Sequence, residues 1–298
     1  MGNVAHSVEE QIEKLKRRGM IFCEGEEKAK EQLLDIGYYR LGFYWYYFEK
    51  GIGHKKHKNR SHIFQDNTRF SDVIELYYLD IDLKHLLTKI IGRIEVNFRT
   101  KVIYHVSNEY KTKPAWYADG EVLEQSFIDE LPKYYNDKFK ETNKPLKKYI
   151  GNIDAPAWKV LEFFTFGNIL HIYKKLKSTP LKRKIASEYG IKSVYTCVNF
   201  FNTIRCIRNI CAHNGILYDS NMPTEIHSNS LVHFNNNNRH SLDSSIKVIL
   251  YILGTISQTR KNEYEKEIKK LFDKYKENEK IRNIIEKRIG YVFDIKKK

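Results

Sequence analysis

The sequence predicts an all-α protein. Three observations carry that expectation. Apolar residues recur at three- and four-residue spacing over long stretches, no segment alternates convincingly as a strand does, and six Pro and 15 Gly in 298 residues are too few for a loop-rich sandwich or barrel. Hydrophobic residues (41%) and aromatic ones (13%) are spread throughout, which rules out disorder for most of the chain and suffices for a large core.

The elements follow in order. Residues 7–19 read as a helix with Ser7 as N-cap, Glu10 as its capping-box partner and Gly19 as the stop. A second short helix covers 25–36. The run GYYRLGFYWYYFEK at 37–50 is dense enough in aromatics to predict a helix buried nearly all round. Residues 51–70 are polar, basic and Gly-broken, an exposed loop. From Ser71 to about Tyr110, Val73, Leu76, Leu79, Leu83, Leu86, Leu87, Ile90, Ile94 and Phe98 keep helical spacing, and Gly92 marks where so long a helix would break. Helices are expected at 123–140, 156–177, 180–189 and 193–213. A loop at 214–240 contains the run NNNN, and helices at 242–258 and 261–288 precede a Lys-rich end. The organisation expected is N-terminal helices and a basic loop (1–70), a helical core (71–258) and a helical tail (259–298), packed as one compact unit.

The 52 Lys+Arg against 37 Asp+Glu leave a formal charge of +15, which attracts polyanions, RNA and DNA first. Richness in Lys, Asn, Ile and Tyr is also what an AT-rich genome produces, so part of this charge carries no functional information. The opening residues MGNVAHSVEEQIEK lack the apolar core of a signal peptide, and the apolar stretch 246–256 is too short to cross a bilayer. Cys23, Cys197, Cys206 and Cys211 have no CxxC spacing, so neither a disulfide framework nor a zinc site is expected. The protein reads as cytoplasmic, with no membrane contact, no metal and no cofactor.

Chemistry concentrates in SVYTCVNFFNTIRCIRNICAH at 193–213. Val194, Cys197, Val198, Phe201 and Ile204 form an apolar stripe whose continuation, seven residues past Phe201, is Arg208. A guanidinium on an apolar line is costly unless a carboxylate or phosphate neutralises it. Beside it runs a polar stripe of Asn202, Arg205, Asn209 and His213, the last two one turn apart. Asn214-Gly215 is a helix stop, which puts His213 in the last turn, where exposed carbonyls favour an imidazolium. An Arg that binds phosphate next to a proton donor can cut a phosphodiester without metal. Arg208 and His213 differ by ~140° of azimuth on an ideal helix, so one face cannot hold both compactly. The alternative is structural: Arg208 bridges a carboxylate of another helix, Asn209 bonds backbone and His213 caps.

The segment IRNICAH at 207–213 resembles the R-N-x-x-x-H motif of the HEPN superfamily. Most of residues 8–218 resembles its Abi-like (AbiD/AbiF) abortive-infection branch, through EEQIEKLKRRGM, LLDIGYYRLGFYWYYF, LYYLDIDLKHLL with IEVNFRT, PAWKVLEFFTFGNILHIYKKL and KRKIASEYG in family order. The resemblance implies a HEPN-type helical bundle with additional N- and C-terminal helices. It also implies a metal-independent endoribonuclease, active as a homodimer whose paired motifs form a composite site and acting on RNA; a regulatory RNA or antitoxin is a further candidate partner. Arg208 would bind and polarise the scissile phosphate, His213 would exchange protons and Asn209 would orient it. Relatives often continue from the His with a basic residue and an Arg-Leu-Trp-Asn stretch. This chain reads HNGILYD at 213–219, with Tyr218 placed to take over the packing of the Trp.

Other groups admit a structural and a functional reading as well. Arg99 and His105 repeat the R-x5-H spacing; either Glu95 and Arg99 form a structural i,i+4 bridge beside an incidental His105, or the pair is a second catalytic motif. Arg205, with Lys55, Lys56, Lys58 and Arg60 of the basic loop, is the RNA-binding candidate set. His54, His57 and His62 are weak metal ligands without Cys or acid. The 37–50 aromatics serve core or base stacking, with core favoured. The rivals to a nuclease are a non-catalytic RNA- or nucleotide-binding module and a protein-interaction sensor.

Overall fold

Ser7 opens the first helix as its sequence dictates: its hydroxyl accepts the Glu10 N–H, and the Glu10 carboxylate accepts the Ser7 N–H. The computed structural model describes residues 4–51, 61–151, 155–235 and 238–294. The elements are α1 (Val8–Arg17), α2 (Glu26–Ile36), α3 (Tyr38–Trp45), α4 (Phe70–Glu109), α5 (Gln125–Tyr134), α6 (Asp137–Thr142), α7 (Ala157–Val160), α8 (Phe166–Lys175), α9 (Thr179–Ser187), α10 (Val194–Ala212), α11 (Leu242–Ile256), α12 (Gln258–Asp273) and α13 (Glu279–Ile284). Among the described residues only isolated β-bridges occur, Ile21 with Arg69, Glu49 with Phe64 and Leu123 with Leu176, and there is no sheet. The fold is all-α. No helix among the described residues is long and apolar enough to cross a membrane.

The chain divides into two compact units, and their limits differ from the divisions read at 70 and 258. One holds Met1–His85, Ile216–Ser220 and Glu267–Lys298; the other holds Leu86–Gly215 and Asn221–Lys266. The 40-residue α4 contributes to both and runs through Gly92 without the expected break. Of its nine apolar positions named above, all but Leu86 are fully buried. A glycine inside a helix costs only about 1 kcal/mol, which that burial outweighs.

Three helical stretches are divided where periodicity alone predicted continuity, and the cause is the same each time. At 123–140, Asn136 accepts the Phe139 N–H and starts α6. At 156–177, Thr165 accepts the Asn168 N–H and starts α8. At 261–288, Asn278 accepts the Ile281 N–H and starts α13. A side chain that satisfies an orphan N–H makes a new helix start favourable inside a helical pattern.

The aromatic stretch 37–50 is not buried all round. Leu41, Tyr44, Trp45 and Phe48 enter the core, whereas Tyr39 is 82% and Phe43 43% exposed. Residues 51–70 are not uniformly exposed either, since Phe64 and Thr68 are buried.

Candidate functional site

Helix α10 is the element on which the candidate motif depends. Ser193 caps its start by accepting the Thr196 N–H, and the helix packs against α8, α9 and α11. Its buried side is broader than the single stripe expected, adding Phe200, Thr203 and Ile207 to Cys197, Phe201 and Ile204. Phe201 stacks on Phe98 of α4 at 4.0 Å between ring centroids, with Tyr189 and Phe166 against the same pair. This aromatic cluster fixes α10 beside α4.

The stop after α10 is a Schellman motif. Gly215 N–H donates to Ile210 O at 2.8 Å and Asn214 N–H to Cys211 O at 3.4 Å, while Asn214 takes the left-handed conformation at φ 51°. His213 is therefore the C-cap residue, one position beyond the last helical turn predicted for it. Its side chain is exposed, and its imidazole has no hydrogen-bond partner among the described residues. Asn209 is exposed too. The two are joined through backbone, His213 N–H to Asn209 O at 3.1 Å, rather than through a bond between side chains.

Arg208 reaches Glu95 of α4, with Nε 3.8 Å from the carboxylate. That pairing supplies the neutralising carboxylate the sequence demanded, yet it is loose. The side chain is 37% exposed, and its terminal nitrogens have no hydrogen-bond partner among the described residues. Glu95 also binds Arg99, at 3.2 Å, as the i,i+4 spacing predicted. The two candidate arginines thus share one carboxylate. Arg99 is the more committed of the two: it is buried, donates to Phe164 O at 3.1 Å and lies 3.6 Å from Glu162.

His105 is not incidental. It is buried and its Nε2 lies 3.0 Å from Glu188, which also takes Lys101 at 2.6 Å. Those two partners, Lys101 before His105, hold the Glu188 carboxyl below its ordinary range. Arg205, 11 residues from the start of α10, lines a cavity with Lys174, Asn202 and Cys206. Lys55, Lys56, Lys58 and Arg60, like His54 and His57, lie outside the described residues. His62 faces Glu49 at 3.7 Å. Among the described residues no group of three or more His, Cys, Asp or Glu stands together as a metal site.

The sequence reading missed the residue that holds the chain just after the motif. Asp80, fully buried, accepts the N–H groups of Leu217 and Tyr218 at 3.0 and 2.6 Å, the Tyr44 hydroxyl at 2.9 Å and the Lys84 ammonium at 3.0 Å. Tyr218 is itself buried, stacks on Tyr44 and donates its hydroxyl to Phe43 O. Asp219 accepts from Tyr47 at 2.7 Å and from Arg288. A signal existed: Asp80 lies four after Leu76 and three before Leu83, a charge on an apolar line just as Arg208 is.

Comparison with known proteins adds one match. A family model described as Abi-like protein matches residues 31–219, from α2 to the segment that Asp80 anchors, and so takes in both candidate motifs. No curated protein and no solved structure matches the chain.

Proposed function

Because this chain belongs to the Abi-like protein family, we propose that it is a metal-independent endoribonuclease of the HEPN superfamily serving bacterial abortive-infection defence. The observation that carries the reading is the state of Arg208 and His213. The Arg208 side chain is just over a third exposed and only loosely paired, and five residues later an exposed imidazole has no partner among the described residues. Both groups are therefore within reach of a ligand from solvent.

The chemistry follows from these groups. Arg208 binds the scissile phosphate in competition with Glu95 and offsets the negative charge that builds on its oxygens. His213 takes the proton of the ribose 2′-hydroxyl, whose oxygen attacks phosphorus as the bond to the 5′-oxygen breaks. The same proton, or one from a second imidazole, then goes to the leaving 5′-oxygen. Cleavage leaves a 2′,3′-cyclic phosphate and a 5′-hydroxyl. Asn209, one turn before His213, orients the imidazole or its water. Since Arg208 turns toward α4 while His213 caps the helix end, two copies of the chain supply the pair to one composite site. Arg99 and His105, both buried in ion pairs, serve the fold in this reading.

The test is RNA cleavage by purified protein in EDTA, comparing wild type with His213→Ala and Arg208→Ala. Wild-type cleavage, with each variant reduced about 10²–10⁴-fold and melting cooperatively near wild type, supports the proposal. Intact RNA that is nonetheless retarded on a gel, with steep salt dependence, favours a binding module instead. Neither cutting nor binding would leave a protein-interaction sensor.

A further inference from the structure

We infer that the cavity at Arg205 is a phosphate-binding subsite that holds the RNA strand beside the scissile position. The inference rests on the nuclease reading for its ligand but on separate residues for its support. The cavity, of about 270 Å³, lies between α8, α10 and the loop 222–224; Lys174, Asn202, Thr203, Arg205, Cys206 and Thr224 are among its lining residues.

Charge is the first argument. Arg205 and Lys174 line the same cavity, and neither has an ion pair among the described residues. The Lys174 ammonium is held below its ordinary range, first by partial burial and then by the Arg205 charge, although much of its side chain remains exposed. The acids nearby in sequence are engaged elsewhere. Glu225, after Thr224, pairs with Arg239 at 2.7 Å, and Glu124 takes Lys175, not Lys174. Arg99 and Arg208, by contrast, share the Glu95 carboxylate. Two cations lining a cavity without a carboxylate partner suit it to an external anion.

The rest of the lining is neutral and able to bond a phosphate. Asn202 and Thr224 present an amide and a hydroxyl, while Thr203 spends its own hydroxyl on Asn199 O. The loop that roofs the cavity is held by Asn199, which donates to Glu225 O and accepts from His227 N–H, both at 3.0 Å. The site is therefore built rather than left by chance. Its volume equals roughly nine waters at ~30 Å³ each. That admits a phosphate with part of its sugar.

Position supplies the link to the strand. Arg205 precedes Arg208 by three residues, ~4.5 Å along the helix axis. A strand whose scissile phosphate meets Arg208 passes Arg205 with a neighbouring phosphate.

The experiment uses the full chain carrying His213→Ala, so that bound RNA survives, with and without Arg205→Gln and Lys174→Gln together. A labelled single-stranded oligoribonucleotide, adenosine monophosphate and inorganic phosphate are titrated over a range of salt. The subsite predicts at least tenfold weaker oligonucleotide binding in the double variant, and a salt dependence shallower by about 0.7 in the log–log slope for one lost phosphate contact. It also predicts an unchanged or higher melting temperature without ligand, because a repulsion is removed. Unchanged oligonucleotide affinity and slope overturn it, and so does a melting temperature several degrees lower, which would make Arg205 structural. Adenosine monophosphate bound as tightly as the oligonucleotide would move the site to free nucleotides and overturn the strand assignment. If wild type fails to cut RNA while the double variant loses affinity, the nuclease reading falls and the subsite stands. If cutting is normal and affinity unaffected, only the subsite falls.

Discussion

Two carboxylates of α4, Asp80 and Glu95, do opposite things with similar means. Asp80 is fully buried and saturated by two backbone N–H groups, a tyrosine hydroxyl and a lysine. Glu95, 15 residues later, is 17% exposed and divided between two guanidiniums, one held at 3.2 Å and one at 3.8 Å. The first has no bonding capacity left over for anything outside the fold. The second leaves an arginine under-satisfied at the surface. Saturation separates a carboxylate wholly used by the fold from one whose second cation is held loosely, and burial alone would not have distinguished them so clearly.

That contrast can be broken at its strong end first. Asp80→Ala leaves Lys84 buried without its carboxylate and orphans the Leu217 and Tyr218 N–H groups, so a loss of about 3–5 kcal/mol is expected in urea denaturation. Adding Lys84→Met should recover part of it. A loss below about 1 kcal/mol in the single variant would sink the claim that Asp80 anchors 216–218.

Glu95→Gln probes the other end. It weakens the bond to buried Arg99, at about 1–2 kcal/mol of stability. It also frees Arg208 from its competitor, so RNA should bind several-fold more tightly in the His213→Ala background. Weaker binding would mean that Glu95 positions Arg208 rather than competing for it.

Glu188 offers a smaller effect with a pH signature. Its folded-state carboxyl is held low by Lys101 and His105, so its contribution is present above the ordinary carboxylate pKa and is lost as pH falls through the lowered value. Because the side chain is 32% exposed, Glu188→Gln should cost only about 1 kcal/mol at neutral pH. The variant should also lose less stability than wild type between pH 5 and 3. Parallel acid curves for the two proteins would remove Glu188 from the acid response. Least of all, Tyr39→Ala should leave stability within about 0.5 kcal/mol, since that ring is 82% exposed. A large loss would restore the buried-helix reading of 37–50.

Most local signals are legible in the residues, although Gly92 does not break α4 as its type suggested. The Ser7 capping box, the period of α4 and the Asn214-Gly215 stop each involve groups within a few positions of one another. Periodicity misled only where a polar cap competed with it, at Asn136, Thr165 and Asn278, and those caps were legible too had they been given priority over the period. The charge of Arg208 on an apolar line correctly called for a partner, and the same test applied to Asp80 would have found the second hub.

What the residues by themselves determined is therefore the all-α class, the order of most helices and the position of the Arg-Asn-x-x-x-His run at a helix end, because helix formation and capping act over one or two turns. Tertiary structure alone decided that Glu95 serves Arg99 and Arg208 together, that Asp80 takes hold of Leu217 and Tyr218 from 137 residues away, and that Lys174 comes to stand by Arg205. Those pairings join helices through side-chain packing, and no spacing along a chain encodes which of many carboxylates a given cation will meet.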